Sequence, residues 1–301
     1  VEYLLKNNFK VTVYDSFVYE QNTLAIYCNN ENFSIIKKDI RDINYLKKII
    51  KKFDIIIPLA SLVGAPLCEF RKEDAKSINL KGQLDLFKII EKNQLIIMPT
   101  TNSAYGSASG EVYCDENTKL NPISDYAKHK VLVENELMQK ENAISLRLAT
   151  VFGMSPRMRL DVAVNLLTAQ AFKNSVMTVL GGSQVRPNIH IEDITDLYLF
   201  FVENPDLTGV FNAGFENISI LNIAEQISKI SSAKIEIKES NDPRSYRLDS
   251  SRLLKTGFSP KYKVSDAINQ IMDALKDGFL KDTDHCYNQK IMNRTREKKD
   301  K

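Results

Sequence analysis

The stretch Leu95 to Gly106, LIIMPTTNSAYG, passes directly from an apolar run into a row of small polar residues. The apolar part, which ends at Met98, is typical of a strand covered on both faces in a parallel sheet. The hydroxyl groups of Thr100 and Thr101 would then lie at the carboxyl end of that strand. Because sites in open parallel sheets form outside the carboxyl ends of strands, this stretch predicts an α/β sheet and the position of a polar site.

Strands and helices alternate along the rest of the chain. Asp42 is a suitable N-cap for a helix with apolar residues at helical spacing. A helix over about 74–92 carries two apolar stripes and therefore needs two partners. One partner is the sheet, and the other is either a second subunit or the C-terminal part of the same chain. Four further apolar runs predict strands, at 10–15, 33–39, 54–60 and 144–147.

A second informative segment is Asp125 to Lys130, DYAKHK, at the start of a predicted helix. Tyr126 and Lys130 are four residues apart, so they share one face of that helix. A phenol ordinarily titrates near pH ~10, and a neighbouring ammonium group lowers that pKa by favouring the phenolate. The phenol then becomes a usable proton acceptor near neutral pH. Together with the hydroxyl groups after Met98, the pair predicts alcohol–ketone redox chemistry.

The composition is that of one large or two closely joined globular domains, with 301 residues and 43% hydrophobic content. No apolar stretch approaches the roughly 20 residues of a membrane span, and no secretory leader is visible. The four cysteines and three histidines lack the spacing of a metal site. We therefore expect reduced thiols, a cytoplasmic protein and no bound metal.

The net charge of +3 resides at the C-terminus, because 281–301 holds seven Lys/Arg and four Asp/Glu residues. A basic segment of this kind can contact nucleic acid or an acidic surface. The interpretation that we adopt is a solvated, partly disordered charged tail. We accordingly predict no nucleic-acid partner and no membrane association.

The motifs, taken together, resemble those of the extended short-chain dehydrogenase/reductases in the NAD-dependent epimerase/dehydratase family, which act on nucleotide-activated sugars. The resemblance runs from Val1 to about Leu275. Three motifs are more specific: LVGAP at 62–66, TNSAYG at 101–106 and SPRMRLD at 155–161. They are similar to those of a bacterial subgroup near the GDP-heptose C4-dehydrogenases and epimerases of surface-polysaccharide pathways. The other motifs are Asp15, Asp39-Ile40, PLAS at 58–61, Asn79, Thr100-Thr101, Tyr126-x-x-x-Lys130, RLATVFG at 147–153, RPNIHIED at 186–193 and DPR at 242–244.

This resemblance implies a doubly wound parallel (Rossmann) sheet with a smaller C-terminal α/β substrate-binding domain. Dinucleotide folds begin one strand and one Gly-rich turn before the first strand expected here, so we expect roughly 15–20 residues with that turn to precede Val1. The implied divisions are an NAD-binding domain at 1–152 plus 187–214, a nucleotide-sugar-binding domain at 153–186 plus 215–280, and a charged tail at 281–301.

NAD is the implied cofactor. Asp15 ends a predicted strand and would accept hydrogen bonds from the adenosine ribose, where its carboxylate repels the 2′-phosphate of NADP. Asn79 is implied to support the active-site lysine. The other implied cofactor contacts flank the adenine, pass beneath the cofactor or hold the nicotinamide ribose, and they are Asp39, Ile40, Leu59, Ala60, Ser61, Tyr126 and Lys130.

The implied catalytic residues are Thr101, Tyr126 and Lys130, with Thr100 as the neighbouring alternative to Thr101. Arginine suits the diphosphate of a nucleotide sugar because its planar fork binds phosphate oxygens in pairs. We interpret His190, which lies between two isoleucines on a predicted strand, as structural. The implied substrate contacts are Asn102, Ser103, Thr150, Arg159, Asn165, Arg186 and Arg244.

The implied reaction is oxidation at C4 of a nucleotide-diphosphate sugar, in which Tyr126 takes the hydroxyl proton and the C4 hydride passes to NAD. The outcome is a 4-epimerase or a C4-dehydrogenase, and the sequence leaves both open. Family dehydratases follow the catalytic Thr with an Asp-Glu pair, but Asn102 and Ser103 stand here, so a 4,6-dehydratase or 4-keto reductase ranks second. A catalytically silent sugar-nucleotide-binding relative is the alternative of another class. The resemblance also implies a homodimer through helices near 74–92 and 124–140.

Overall fold

The structure is a computed structural model that describes residues 1–106, 112–240 and 245–297. Its contacts divide the chain into two compact units. Unit 1 comprises Val1–Ala104, Pro122–Arg147 and Thr195–Phe211, and unit 2 comprises Tyr105–Asn121, Leu148–Ile194 and Asn212–Lys301. Each unit contains both strands and helices, as the sequence predicts.

Strands and helices are numbered in chain order. The strands are β1 (Val11–Asp15), β2 (Phe33–Lys37), β3 (Ile55–Ile56), β4 (Leu95–Pro99), β5 (Tyr113–Cys114), β6 (Ala143–Leu148), β7 (Thr150–Phe152), β8 (Val176–Leu180), β9 (Val185–His190), β10 (Gly209–Ala213), β11 (Glu216–Ser219), β12 (Lys234–Lys238) and β13 (Arg247–Leu248). The α-helices are α1 (Glu2–Lys6), α2 (Ile43–Ile49), α3 (Ala65–Phe70), α4 (Lys72–Ala75), α5 (Gln83–Phe87), α6 (Asp125–Leu137), α7 (Ala163–Asn174), α8 (Ile191–Glu203), α9 (Ile220–Ser231), α10 (Ser251–Leu254), α11 (Val264–Lys276) and α12 (Asn288–Glu297).

Short 3₁₀ turns and a π-helix complete the secondary structure of the described residues. The π-helix Lys76–Gly82 joins α4 to α5, so helical backbone continues from Lys72 to Phe87. The helix predicted over about 74–92 therefore begins two residues earlier and ends five residues earlier than expected. The 3₁₀ turns are Ala25–Tyr27, Ile50–Lys52, Asn102–Tyr105 and Asp284–Cys286.

Two sheets organise unit 1. Strands β1 and β2 pair in parallel, and a second sheet has the order β10-β6-β4-β3, in which β3 and β6 both run parallel to β4. β4 is the buried strand that the opening sequence stretch predicts, since Ile97 and Met98 are completely enclosed. Helices α2, α5 and α6 contribute apolar side chains to the same core. The predicted α/β fold with parallel strands is therefore confirmed.

The strand predicted at 54–60 is much shorter than expected. β3 covers only Ile55 and Ile56, both half-buried, and Leu59 is 60% exposed. β3 is the last strand of its sheet and bonds to β4, while Pro58 has no N–H to contribute to a strand ladder. The prediction of a strand buried on both faces was therefore wrong for most of this run.

Unit 2 has three small sheets around a helical core. β9 pairs in parallel with β7 and antiparallel with β11, and the pairs β8–β12 and β5–β13 are parallel. Helices α7, α9 and α11 pack together, and their apolar faces form most of the buried cluster in this unit. Among the described residues, no helix combines the length and the apolarity needed to cross a membrane.

The C-terminal segment differs from the predicted solvated tail. Cys286 is buried in the core of unit 2, and Ile291 and Met292 on α12 are buried as well. The N–H of Asn288 at the start of α12 donates to Asp161 Oδ2 at 3.0 Å. A composition count of 281–301 is dominated by charged residues and does not reveal these apolar ones. The expectation of a solvated tail was therefore wrong for Cys286, Asn288, Ile291 and Met292.

Candidate active site

The predicted Tyr126–Lys130 pair lies at the start of α6. Ser124 caps this helix by accepting a hydrogen bond from the N–H of Ala127 at 3.2 Å. Tyr126, in the first turn, is half-buried, whereas Lys130, one turn later, is only 4% exposed. Positions four apart lie on one helix face, so the structure gives the pair the arrangement that the spacing predicts.

Lys130 joins α6 to the end of β4. Its Nζ donates a hydrogen bond to the carbonyl oxygen of Pro99, the last residue of β4, at 3.0 Å. Burial lowers the pKa of Lys130 to about 8. The ammonium form therefore still predominates at pH 7. The effect of Lys130 on the Tyr126 phenol stays a prediction.

Thr100 and Thr101 follow β4 and have different surroundings. The hydroxyl group of Thr100 donates to Glu134 Oε2 at 3.0 Å and lies 2.9 Å from Ser145 Oγ, so it belongs to an internal network. Thr101 Oγ1 accepts the N–H of Ser103 at 3.1 Å. That bond uses an oxygen lone pair and leaves the hydroxyl hydrogen to be donated elsewhere. The contacts favour Thr101 over Thr100 as the reacting hydroxyl.

Two side-chain amides hold the backbone of Ala60, which is predicted to lie beneath the cofactor, and of Leu62, which follows the predicted residues. Asn79 makes two bonds to the backbone of Leu62, accepting from its N–H and donating to its carbonyl, each at 2.8 Å. Gln83 Nε2 donates to the carbonyl of Ala60 at 2.7 Å. Both amides are fully buried, and Asn79 lies in the π-helix, a feature frequent at functional sites. They fix a backbone segment that no strand pairing holds in the described residues.

Sequence reasoning missed Gln83 and assigned Asn79 differently. Asn79 was implied to support Lys130, but its second donor contact goes to Cys68 Sγ, 3.6 Å away. Burial raises the pKa of the Cys68 thiol to about 11, so the thiol is neutral at pH 7. The four-residue spacing of Asn79 and Gln83 on one helix face was the available signal.

The predicted adenosine-side carboxylates both make internal contacts. Asp15, at the end of β1, accepts the N–H of Phe17 through Oδ1 at 2.5 Å. Asp39 forms an ion pair with Arg41, with Nη2 2.6 Å from Oδ2, and Arg41 also reaches Asp74. The side chain of Ile40 is buried in the core of unit 1. The roles of these residues towards NAD stay predictions.

The predicted substrate residues of unit 2 are anchored within that unit. Asn165 directs its amide to the backbone of Gly153 and Arg159, with bonds of 2.8 to 3.3 Å. Arg159 pairs with Asp161 at 2.9 Å. Arg186 donates to the carbonyl of Val185 at 3.1 Å. Their contacts to substrate stay predictions.

The remaining predicted substrate residues lie in a 3₁₀ turn, at the start of a strand and outside the described residues. Asn102 is buried, and Ser103 is half-buried in the same 3₁₀ turn. Thr150 begins β7 opposite Asn188 of β9. Arg244 lies outside the described residues.

His190 is structural, as predicted. Its ring stacks on Tyr262 at a centroid distance of 4.7 Å, and it is 1% exposed. Nδ1 accepts the N–H of Glu192 at 3.2 Å, which leaves Nε2 to donate to Gln270 Oε1, also at 3.2 Å. Burial lowers its pKa, so the ring is neutral at pH 7 and has both nitrogens engaged.

Comparison with known proteins identifies the family of this chain. Residues 1–214 match the profile of the NAD dependent epimerase/dehydratase family. The chain belongs to this family. Membership confirms the resemblance drawn from the motifs, and it confirms NAD as the cofactor of the family's chemistry.

Solved structures give the same fold. The UDP-glucuronic acid 4-epimerase of Bacillus cereus, solved with UDP-glucuronic acid and NAD, superposes with a TM-score of 0.79 at 25% identity, over 92% of this chain and 94% of that one. A dTDP-glucose 4,6-dehydratase of Bacillus anthracis, solved with NAD, superposes with a TM-score of 0.79 at 19% identity, over 92% and 91% of the two chains. These neighbours confirm the Rossmann architecture of the family member described here.

Two curated relatives are similar in sequence. A low-salt glycan biosynthesis protein of Haloferax volcanii is 23% identical over 91% of this chain and 93% of its own length. The bifunctional polymyxin resistance protein of Wigglesworthia glossinidia brevipalpis is 34% identical over 39% of this chain. The match spans only 18% of that bifunctional protein.

Proposed function

We propose that this chain oxidises C4 of a nucleotide-diphosphate sugar with NAD, as a 4-epimerase or C4-dehydrogenase in bacterial surface-polysaccharide biosynthesis. The observation that carries the proposal is the bond from Lys130 Nζ to the Pro99 carbonyl. It ties the helix face of Tyr126 to the strand end that continues into Thr101. We assign the Tyr126 phenol, the Lys130 ammonium group and the Thr101 hydroxyl group to one site at this strand end, because that combination suits the interconversion of an alcohol and a ketone.

The residues of unit 1 fit an NAD molecule. Ala60 carries only a methyl group, and the bond from Gln83 fixes its carbonyl, so a ligand can approach this backbone closely. Asp15, with Asp39 and Ile40, would hold the adenosine, and Leu59, Ala60 and Ser61 would lie beneath the cofactor. Lys130 and Tyr126 would contact the nicotinamide ribose. NAD, when bound, supplies the redox chemistry by accepting hydrogen from C4 together with its bonding electrons.

The chain's own residues manage the proton. The Tyr126 phenolate oxygen takes the proton of the C4 hydroxyl group, and the phenol returns it in the reverse direction. Lys130, cationic at pH 7 with a pKa of about 8, stabilises the phenolate. Thr101 donates its hydroxyl hydrogen to the reacting sugar oxygen and orients it. Orientation of this kind contributes a large part of an enzyme's rate.

Recognition of the nucleotide sugar is assigned to the residues predicted from the sequence. Arg159, Arg186 and Arg244 would bind the diphosphate through paired charge-assisted hydrogen bonds. Asn102, Ser103, Thr150 and Asn165 would contact the sugar or nucleotide. Arg159 is paired with Asp161 in the structure, so it would exchange or share that partner when phosphate binds.

Similarity to a UDP-glucuronic acid 4-epimerase supports epimerisation, while Asn102 and Ser103 disfavour dehydration because neither can act as a carboxylate acid or base. A 4-epimerase re-forms the alcohol on the opposite face of the ketone and recycles its cofactor. A C4-dehydrogenase releases the ketone and accumulates NADH. A silent binding protein would do neither.

The test is incubation of the chain with NAD and a panel of UDP-, GDP-, dTDP- and ADP-sugars. NMR identifies the products, and absorbance measures NADH. We expect a C4-inverted or 4-keto sugar, and a loss of about 10²–10⁴-fold in rate for Tyr126→Phe. Tyr113→Phe is the matched control, since Tyr113 is 56% exposed. A 6-deoxy-4-keto product would overturn the ranking, and binding without turnover would support the silent relative.

We also propose a homodimer through the helical stretch 72–87 and α6. A surface groove lined by Leu80 and Leu84 lies between charged residues on this stretch. Light scattering should give twice the chain mass for the wild type and a lower mass for Leu84→Glu. Leu254→Glu is the control, because Leu254 is exposed elsewhere. A monomeric wild type at micromolar concentration would contradict the proposal.

A further inference from the structure

Glu134 on α6 makes an ion pair that is enclosed by protein. Its side chain is 4% exposed and that of its partner, Arg147 on β6, is 6% exposed. Arg147 Nη2 lies 2.6 Å from Glu134 Oε1, and Arg147 Nε lies 3.1 and 3.2 Å from the two carboxylate oxygens. This is a close, multiply bonded pair between a helix and the neighbouring strand.

Two hydroxyl groups complete the coordination of this carboxylate. Ser145 Oγ donates to Glu134 Oε2 at 2.6 Å, and Thr100 Oγ1 donates to the same oxygen at 3.0 Å. Both residues are buried. Ser145 lies on β6 and Thr100 directly follows β4, so one carboxylate binds α6 to two neighbouring strands.

The position of Glu134 on α6 relates this network to the candidate active site. Tyr126, Lys130 and Glu134 follow one another at four-residue intervals, so they lie along one face of the helix. Lys130 bonds to the carbonyl of Pro99 and Glu134 bonds to the hydroxyl of Thr100. Two consecutive residues at the end of β4 are therefore held by two successive turns of α6.

These bonds fix α6 against the strand end in both rotation and translation. A helix advances ~1.5 Å per residue, and misplacing reacting groups by ~1 Å costs about 10²-fold in rate. A buried ion pair is not needed for stability, because apolar residues of similar volume are often as stable or more so. A requirement for geometry accounts for its presence here.

We propose that Glu134 is a positioning residue, which acts with Arg147 and Thr100 to set Tyr126 and Lys130 at the correct place relative to Thr101. The inference rests on the proposed function of Tyr126, Lys130 and Thr101. Glu134 itself does not contact substrate. Its carboxylate also accepts the hydroxyl hydrogen of Thr100. Of the two threonines, Thr101 is then the one whose hydroxyl group donates to the substrate.

The decisive variant removes both charges together. Glu134→Leu alone leaves the Arg147 guanidinium buried without its partner and should lower the melting temperature strongly. Glu134→Leu with Arg147→Met removes both charges, and Thr100 and Ser145 can still bond each other. We expect the double variant to regain a melting temperature near that of the wild type, but to keep kcat about 10²-fold low with little change in KM.

The matched control removes a surface ion pair. Asp273→Asn with Lys276→Gln neutralises an exposed pair on α11 and should leave kcat and melting temperature unchanged. A Glu134/Arg147 double variant with both wild-type stability and wild-type kcat would overturn the proposal, since the pair would then be only structural. If that double variant does not fold, Thr100→Val replaces it. A fall in kcat at constant KM in Thr100→Val, together with a fall in Thr101→Val, supports the proposal. Wild-type kcat in Thr100→Val overturns it, and so does a loss in Thr100→Val while Thr101→Val keeps full activity, because Thr100 would then be the reacting hydroxyl.

A second readout separates this inference from the proposed function. Ultraviolet titration, with the Tyr126→Phe protein subtracted, reports ionisation of Tyr126 without any sugar. We expect the midpoint to move upward, towards the ordinary tyrosine value of about 10, in the Glu134/Arg147 double variant. A wild-type midpoint already at the ordinary value would count against the phenolate mechanism. A lowered wild-type midpoint that the double variant does not move would count against positioning by Glu134.

Discussion

Lys130→Met should stabilise the fold while it removes the activity. Burial shifts the pKa of Lys130 from the ordinary 10.5 to about 8. This difference of about 2.5 pH units, at ~1.36 kcal/mol per unit, is an electrostatic cost of about 3 kcal/mol at pH 7. Methionine also loses the bond to the Pro99 carbonyl, which costs about 1 kcal/mol. The variant should therefore be about 2 kcal/mol more stable than the wild type near neutral pH.

The pH dependence gives the sharper test because it does not depend on that lost bond. Between about pH 8 and pH 10.5, Lys130 holds its proton less tightly in the folded state than in the unfolded state. The unfolded chain then binds more protons, so the free energy of unfolding of the wild type rises with pH relative to the variant. The burial cost is complete below pH 8 and vanishes above 10.5.

The assay is urea unfolding of the wild type and Lys130→Met at intervals from pH 7 to 10.5. Over this range the free energy of unfolding of the wild type should rise by about 3 kcal/mol relative to that of the variant. Lys128→Met on the same helix is the control for loss of a lysine charge, because Lys128 is exposed. Unfolding curves for Lys130→Met and wild type that keep a constant separation at every pH would refute the reasoning.

Three further substitutions test the site. Thr101→Val should lower kcat by about 10²-fold with little change in sugar KM; full activity in this variant, with loss only in Thr100→Val, would reassign the reacting hydroxyl. Asp15→Asn should weaken NAD binding by about 10-fold and raise the affinity for NADP relative to that for NAD, as measured by calorimetry. An unchanged preference for NAD over NADP would show that Asp15 does not contact the adenosine ribose. Gln83→Leu should raise the dissociation constant of NAD by about 10-fold through release of the Ala60 carbonyl, and unchanged fluorescence titrations would show that this clamp is dispensable.

The elements predicted correctly from the sequence are those with local causes. Asp42 caps α2 by accepting the N–H of Tyr45 at 3.2 Å, as expected from its position before an amphipathic run. The apolar run of β4 and the spacing of Tyr126 and Lys130 likewise express the periods of a strand and a helix. Such signals lie within a few residues of the element that they specify.

The features that sequence reasoning missed depend on distant partners. Gln83 bonds to Ala60 across 23 residues, and Glu134 bonds to Thr100 across 34. From the sequence, Glu134 looks like one more surface carboxylate on a helix, because the polar residues that bond to it lie on or after other strands. Buried polar side chains of this kind are recognisable only once the sheet order is known.

The errors in the fold have a related cause. The run at 54–60 has the apolar content of a central strand, but the partners that a strand needs are set by the sheet and not by the run itself. At the C-terminus, charged residues outnumber the apolar ones, yet Ile291 and Met292 are buried. A few apolar residues outweigh the average composition when a core is available to receive them.

The measurement that tests the account most directly is product analysis by NMR after incubation with NAD and nucleotide-diphosphate sugars, comparing the wild type with Tyr126→Phe. We predict a sugar changed at C4, either inverted or oxidised, in the wild type, and almost no product from Tyr126→Phe at saturating NAD. Formation of the same product at the same rate by both proteins would contradict the assignment of Tyr126 as the group that takes the proton.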